Sequence, residues 1–258
     1  MAKPLAGRTV VVTRPRRQAA GFVVGLKGAG ATVIEAPMIR VAPPSSYAGL
    51  DAALRKIASF DATVFTSRNA VESFFDRAGA LGIAPPPRPR RLFAVGPMTA
   101  AALRERGWRA CKTPATFRGE ALARALGVVR GQRFLLPRAK VAGEALAKIL
   151  RRGGAKLTLV EAYRTLPERR GLAPLKKALA NGVDAVTFTS GSAVREFCSQ
   201  LGLPACRRLF KRAVAASIGP VTSAALKAQG LAPGVQARRA TASSLLSALK
   251  RHFRGARA

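Results

Sequence analysis

One segment of this chain is written almost twice, and that repetition constrains its fold more than any other feature. Asp61-Ala-Thr-Val-Phe-Thr-Ser67-Arg-Asn-Ala-Val71 returns as Asp184-Ala-Val-Thr-Phe-Thr-Ser190-Gly-Ser-Ala-Val194. Val95-Gly96-Pro-Met-Thr99-Ala-Ala-Ala-Leu103 returns as Ile218-Gly219-Pro-Val-Thr222-Ser-Ala-Ala-Leu226, and both copies are displaced by 123 residues. Repetition at that scale is the mark of a duplicated α/β unit, which predicts two similar lobes with a cleft between them. The repeated residues sit where short apolar strands give way to helices, the edge at which doubly wound sheets hold their ligands.

A second pair of repeats fixes how the lobes are assembled. Arg8-Thr-Val-Val-Val-Thr13 reads as a strand halted by Arg14-Pro15, because proline has no amide with which to continue a ladder. A helix over about Gln18–Gly28 and a strand over Ala31–Glu35 follow. The same pattern recurs as Gly131-Gln-Arg-Phe-Leu-Leu136-Pro137-Arg138, a helix near Gly143–Arg152, and a strand at Leu157–Glu161. Strands alternating with helices imply parallel sheets covered on both faces. Residues 61–161 have enough strands to close one sheet of five, which leaves the first βαβ pair to complete a second sheet with 183–258. The expected architecture is therefore α/β, with two doubly wound parallel-sheet domains. One is discontinuous (1–38 with 168–258) and one continuous (43–163), joined through linker strands at 37–42 and 160–167. A simpler division into consecutive domains cut near residue 130 fits the same repeats.

With 258 residues, 48% of them hydrophobic, the chain can bury a substantial core. The longest uncharged stretch, Ala213–Leu226, is interrupted by Gly219-Pro220 and is too short to span a bilayer. The N-terminus reaches Arg8 without an apolar run, so a secretory signal is not expected, and the cytoplasm is the expected location. Cys111, Cys198 and Cys206 are odd in number and lack CxxC spacing, which points to reduced thiols rather than disulfides or zinc. The single histidine, His252, lies in the basic C-terminal stretch, leaving a Ser/His/Asp relay or a histidine metal site little to work with.

Forty-five Lys and Arg against 12 Asp and Glu give a formal charge of +33, a field that draws in anions. Nucleic acid, an acidic membrane surface and a polyanionic small molecule all fit the net charge alone. Position separates the cations. Arg88, Arg90 and Arg91, Arg151, Arg152 and Lys156, and Arg207, Arg208, Lys211 and Arg212 precede strands. They belong to the edge away from the ligand and read as solvated charge. Arg14, Arg16 and Arg17, Arg68, Arg138 and Lys140, and Arg238 and Arg239 follow strands and converge on the ligand edge, with Arg118 able to join them. Arg14 and Arg138 hold equivalent places in the two copies and are candidate anion contacts. At the repeated turns, Gly96 and Gly219 permit close backbone approach, and the helix starts present free amides. Thr99, Thr222, Ser67 and Ser190 add hydroxyls there, as caps, as ligand contacts, or as both. Neither turn matches GxxxxGK[ST], so nucleotide binding has little support.

Taken in order, several of these pieces are shared with a known family. They are Thr13-Arg14-Pro15, Gly30-Ala31, Phe65-Thr66-Ser67-x-Asn-Ala-Val71, Val95-Gly96-x-x-Thr99, Leu135-Leu136-Pro137-Arg138, Gly154-Ala155, Glu161-Ala-Tyr163-Arg164-Thr165, and Ile218-Gly219-Pro220-x-Thr222. Over nearly its whole length the chain resembles the uroporphyrinogen-III synthase family. The resemblance implies a HemD-like fold, two α/β domains joined by a two-stranded β-ladder with an open interdomain cleft. It implies an octacarboxylate substrate, the linear tetrapyrrole hydroxymethylbilane, closed with loss of water and inversion of its last ring in haem and porphyrin biosynthesis. It also implies a lyase that needs no metal or organic cofactor, and since nothing in the sequence demands more than one copy, a monomer is expected. Tyr163 matches the family's proposed proton donor, although a tyrosine packed at the interdomain ladder explains the same residue. Ser67, Thr99, Ser190 and Thr222 carry over as substrate contacts. The arginine excess goes beyond what one octacarboxylate requires and keeps a nucleic-acid-binding protein as the alternative. Against that alternative stand the absence of a recognition-helix or RNP-like signature and an aromatic content of only 6%.

Overall fold

A computed structural model describes residues 3–83, 86–109, 125–141 and 143–255. Cys111, Lys112 and Arg118 lie outside the described residues, as does part of the Pro85–Pro89 run. The chain divides into two compact units, Met1–Arg40 with Leu166–Ala258, and Val41–Thr165.

The first unit is built on a sheet of five parallel strands, β1 (Thr9–Val12), β2 (Thr32–Glu35), β8 (Ala185–Phe188), β9 (Val214–Ser217) and β10 (Val235–Gln236). Their order across the sheet is β10-β9-β8-β1-β2. Valines of β1 alternate between its faces, as the two-residue strand period demands. Val10 and Val12 pack with Phe22, Leu245, Leu249 and Phe253, whereas Val11 packs with Phe188, Phe197 and Leu226. Helices therefore cover both faces. The helix Arg16–Gly28 buries Ala19, Phe22, Val23 and Leu26, the apolar stripe legible in its sequence.

In the second unit the strands are β3 (Ile39–Ala42), β4 (Ala62–Phe65), β5 (Arg91–Ala94), β6 (Arg133–Ala139) and β7 (Lys156–Pro167), in the order β3-β7-β6-β4-β5. The β7-β6-β4-β5 run is parallel and reproduces the order β2-β1-β8-β9 of the first unit. Residues 61–161 do not supply all five strands described for this sheet, because β3 takes the edge beside β7. The strand expected at Leu157–Glu161 continues to Pro167, so that β3 and β7, neighbours in one sheet, each cross a boundary between units.

The duplication is legible in the packing as well as in the sequence. Asp61 and Asp184 both stand just before a strand and accept the first amide of its neighbour. Asp61 Oδ2 takes Arg133 N at 2.8 Å, and Asp184 Oδ2 takes Thr9 N at 2.8 Å. Phe65 and Phe74 meet edge-on at 5.3 Å and 82°, and Phe188 and Phe197 repeat this at 5.2 Å and 87°.

Not all of the arginine is solvated. Arg91 lies at the start of β5, where it donates to Gln132 Oε1 at 2.6 Å, to the Val128 carbonyl at 3.4 Å and to the Leu126 carbonyl, and it stacks over Phe93. The expectation of a solvated side chain holds only in part for this half-exposed residue, because three acceptors and a ring face take the place of some of its water. Arg77 likewise grips both oxygens of Asp51 at 2.6 and 2.7 Å while lying 4.0 Å over the Tyr47 ring. Its hydrogen bonds hold the Asp51 carboxyl below the ordinary aspartate range.

Gly171, at the start of the helical segment after β7, is pressed against the chain leading into β3. A Cβ there would stand 2.2 Å from the Pro37 carbonyl oxygen and 2.8 Å from the Ala36 carbonyl carbon. Backbone cannot step aside as a flexible side chain can. Gly171→Ala is therefore expected to cost about 1–3 kcal/mol, read as a lowered melting temperature, whereas Gly21→Ala, where a Cβ meets nothing within 4 Å, should not lower it.

Candidate active site

Because β7, β6, β4 and β5 run parallel, as do the five strands of the first sheet, the carboxyl ends within each set share an edge. On the second unit this edge gathers Ser67 after β4, the Gly96–Thr99 turn after β5, Arg138 near the end of β6, and Tyr163 in β7. On the first it gathers Arg14 after β1, Ser190 after β8, the Gly219–Thr222 turn after β9, and Arg238 and Arg239 after β10. Each unit thus presents one copy of the repeated turns on a single rim.

Ser67 and Ser190 adopt nearly the same extended backbone, φ −154° and −160°, at the start of the helices Arg68–Ala80 and Gly191–Leu201. Their hydroxyl oxygens accept from Ala70 N at 3.1 Å and Ala193 N at 3.2 Å, each satisfying one of the amides a helix start leaves open. Thr99 and Thr222 do not cap. Both lie inside their helices and are buried, and Thr99 Oγ1 donates back to the Val95 carbonyl at 3.1 Å. The caps at those turns are Gly96 and Gly219, each followed by a proline that has no amide to satisfy. Gly96 requires glycine for its φ of 104°, whereas Gly219 is extended at 168°. The two turns therefore share a sequence without sharing a backbone.

Tyr163 is buried, with 7% of its surface exposed, and its hydroxyl lies 3.0 Å from Ser67 Oγ. Burial pushes the phenol above the ordinary tyrosine range, against the smaller effect of hydrogen bonds from Ser67 and Asn69 that favour the phenolate. The phenol thus stays protonated across the neutral range, the state in which it donates a proton. Asn69 is a partner that sequence reasoning passed over, although it stands in the quoted motif. Its counterpart in the second copy is Ser192, so the missing signal was the asymmetry between the copies.

Arg138 pairs in register with Glu161 on β7, one step from the Ala139–Tyr163 pairing. Its Nη2 donates to Glu144 Oε1 at 2.5 Å, which holds that carboxyl below the usual range. Its Nη1 is buried with no partner among the described residues. Arg14 is half-buried, with Nε 3.5 Å from Gln18 Oε1. Arg68 is largely spent on acids, at 2.6 Å from Glu72 and 2.8 Å from Glu105. Lys140 reaches Ser45 Oγ at 3.1 Å, while Arg16, Arg17, Arg238 and Arg239 extend into solvent. Tyr47, beneath Arg77, has a structural task.

Cys198 and Cys206 are unbridged, buried thiols in the first unit. No cluster of three metal-ligating side chains occurs among the described residues, and none of the helices described is long and apolar enough to cross a membrane.

Each of two duplicated doubly wound sheets thus carries a rim of helix starts and cations, a setting suited to anions. The family model "Uroporphyrinogen-III synthase HemD" matches residues 21–247. The chain is 37% identical over 232 residues to the uroporphyrinogen-III synthase of Synechococcus elongatus, covering 86% of each chain. It is 28% identical over 232 residues to that of Chlorobaculum parvum, covering 87% of this chain and 90% of the relative. In fold it is similar to a mutant uroporphyrinogen III synthase of Thermus thermophilus (TM-score 0.71, 23% identity, 96% and 100% coverage). It is also similar to the Helicobacter pylori enzyme (TM-score 0.60, 19% identity, 93% and 97% coverage). The chain belongs to the uroporphyrinogen-III synthase family and is an enzyme of the lyase class.

The shared cap and the unshared phenol contact separate cleanly by mutation. Ser67→Ala and Ser190→Ala should each lower stability by about 0.5–2 kcal/mol. Only Ser67→Ala should raise the alkaline titration midpoint of Tyr163, because Ser67 is a group that favours its ionised form. Ultraviolet titration in a Tyr47→Phe background reads that phenol alone.

Proposed function

We propose that this enzyme cyclises hydroxymethylbilane to uroporphyrinogen III, inverting the last pyrrole ring and releasing water. The observation that carries the reading is Tyr163, a phenol kept protonated by burial and aimed by Ser67 at the carboxyl edge of a parallel sheet.

The substrate supplies most of the electronic push. The lone pair of the terminal pyrrole nitrogen expels the hydroxyl of the hydroxymethyl group, leaving an azafulvene. A proton from Tyr163 lets that hydroxyl leave as water, an assistance typically worth about 10²–10⁴-fold. The last ring then attacks through its substituted carbon, the resulting spiro intermediate fragments, and the ring recloses inverted through its free α-carbon, whose proton is lost and balances the one that left with the water. Neither a metal nor an organic cofactor enters this scheme, and we assign the reaction to a cytoplasmic monomer.

What remains for the protein is to fold a flexible polyanion so that the substituted carbon is the one within reach. Arg138 suits a carboxylate because its Nη1 is desolvated and unpartnered among the described residues, a donor whose pairing with an anion would remove a standing cost. Arg14 occupies the equivalent place in the first unit. Ser67 and Ser190 add hydroxyls at helix starts that already favour negative charge. Thr99 fits the same reading as a contact through its backbone amide at the turn, since its side chain is buried, whereas the Thr222 amide already donates to the Gly219 carbonyl at 3.1 Å and leaves that turn to its neighbouring groups.

Fresh hydroxymethylbilane with analysis of the product isomer tests the assignment. Type III is the expected product, and type I alone, the spontaneous outcome, would overturn it. Tyr163→Phe should lower kcat by about 10²–10⁴-fold with KM little changed, and near-normal turnover would remove Tyr163 from the mechanism. Arg138→Gln should instead raise KM more than it lowers kcat.

A further inference from the structure

The first unit contains a cavity of about 560 Å³ that belongs to neither rim. Its apolar lining includes Leu179, Val183 and Leu209, and three cations, Arg208, Lys211 and Arg212, line it as well. Val183 lies just before β8, and Lys211 and Arg212 lie just before β9, so the cavity sits at the amino edge of the sheet. Strands of four residues separate that edge from Ser190 and the Gly219 turn, roughly 13 Å at the rise of a parallel strand.

The three cations are exposed, as expected for residues that precede strands, and two properties mark the hollow beside them. No acidic side chain among the described residues lines it. None of the ion pairs formed among the described residues involves Arg208, Lys211 or Arg212. Three like charges are thus gathered at one apolar hollow without a counter-charge, an arrangement that repels itself until an anion arrives. The volume falls within the range of small-molecule sites, about 300–1,000 Å³. A phosphate chain would satisfy the cations and leave the leucine and valine surface wet. A neutral hydrocarbon would do the reverse.

We infer that this cavity is a second ligand site, which takes a small amphiphilic anion with an apolar body and a carboxylate head. The apolar part lies on Leu179, Val183 and Leu209, and the head meets Arg208, Lys211 and Arg212.

Isothermal titration of the full chain with dodecanoate tests this. One saturable equivalent is expected, bound at least about tenfold more tightly than dodecanol, which lacks the charge, and than butyrate, which lacks the body. The R208S/K211S/R212S variant should lose at least about tenfold in affinity at an unchanged melting temperature, since these side chains are exposed. In labelled wild-type protein the Gly182 amide resonance should move on binding and that of Gly96 should not. Equal affinity in the triple variant, equal binding of dodecanol or butyrate, or uptake that never saturates would overturn the proposal. None of these readouts depends on turnover, so the site stands or falls separately from the tetrapyrrole reading.

Discussion

Open amides at helix starts are the constraint around which both units are arranged. In a parallel sheet every strand delivers the chain to the same edge, and each following helix begins there with N–H groups that no earlier turn can satisfy. Ser67 and Ser190 answer for one amide each, and Pro97 and Pro220 remove one by having none. What stays open on those rims is a row of donors with a positive bias. The same edge that needs capping is therefore suited to carboxylates, before any side chain is charged.

The formal excess of 33 positive charges overstates what the rims hold in reserve. Arg91 serves as a covered tie between β5 and nearby carbonyls, and Arg77 clamps Asp51 beneath a tyrosine ring. Arg68 meets two glutamates. Arg138 differs in kind, half engaged by Glu144 and half left with a desolvated donor. Charge count says little about function here, and partnership says more.

Much of this was legible in the sequence because a duplication shows each structural necessity twice. Ser67 and Ser190 could be read as equivalent, and the interleaved order of the βαβ pairs predicts a discontinuous unit. The inward turn of Thr99 was not legible, since a threonine three residues into a helix can face either way until the helix is packed against its sheet. Neither was the partial covering of Arg91, because preceding a strand and opening one look alike in sequence. Asn69 was hidden for a subtler reason. Attention to what the copies share conceals the position at which only one of them acquired a use.

The interleaving also sets an order of events during synthesis. β1 lies between β2 and β8 and pairs with β8 in the register Val10↔Ala185, so the first forty residues lack a partner for their central strand until nearly two hundred have been made. All strands of the other sheet, the last of which ends at Pro167, have by then been made. Until β8 is made, β1 can pair only with β2, so one of its edges has no native partner. The sheet made of the middle of the chain is thus complete in sequence before the one made of its two ends.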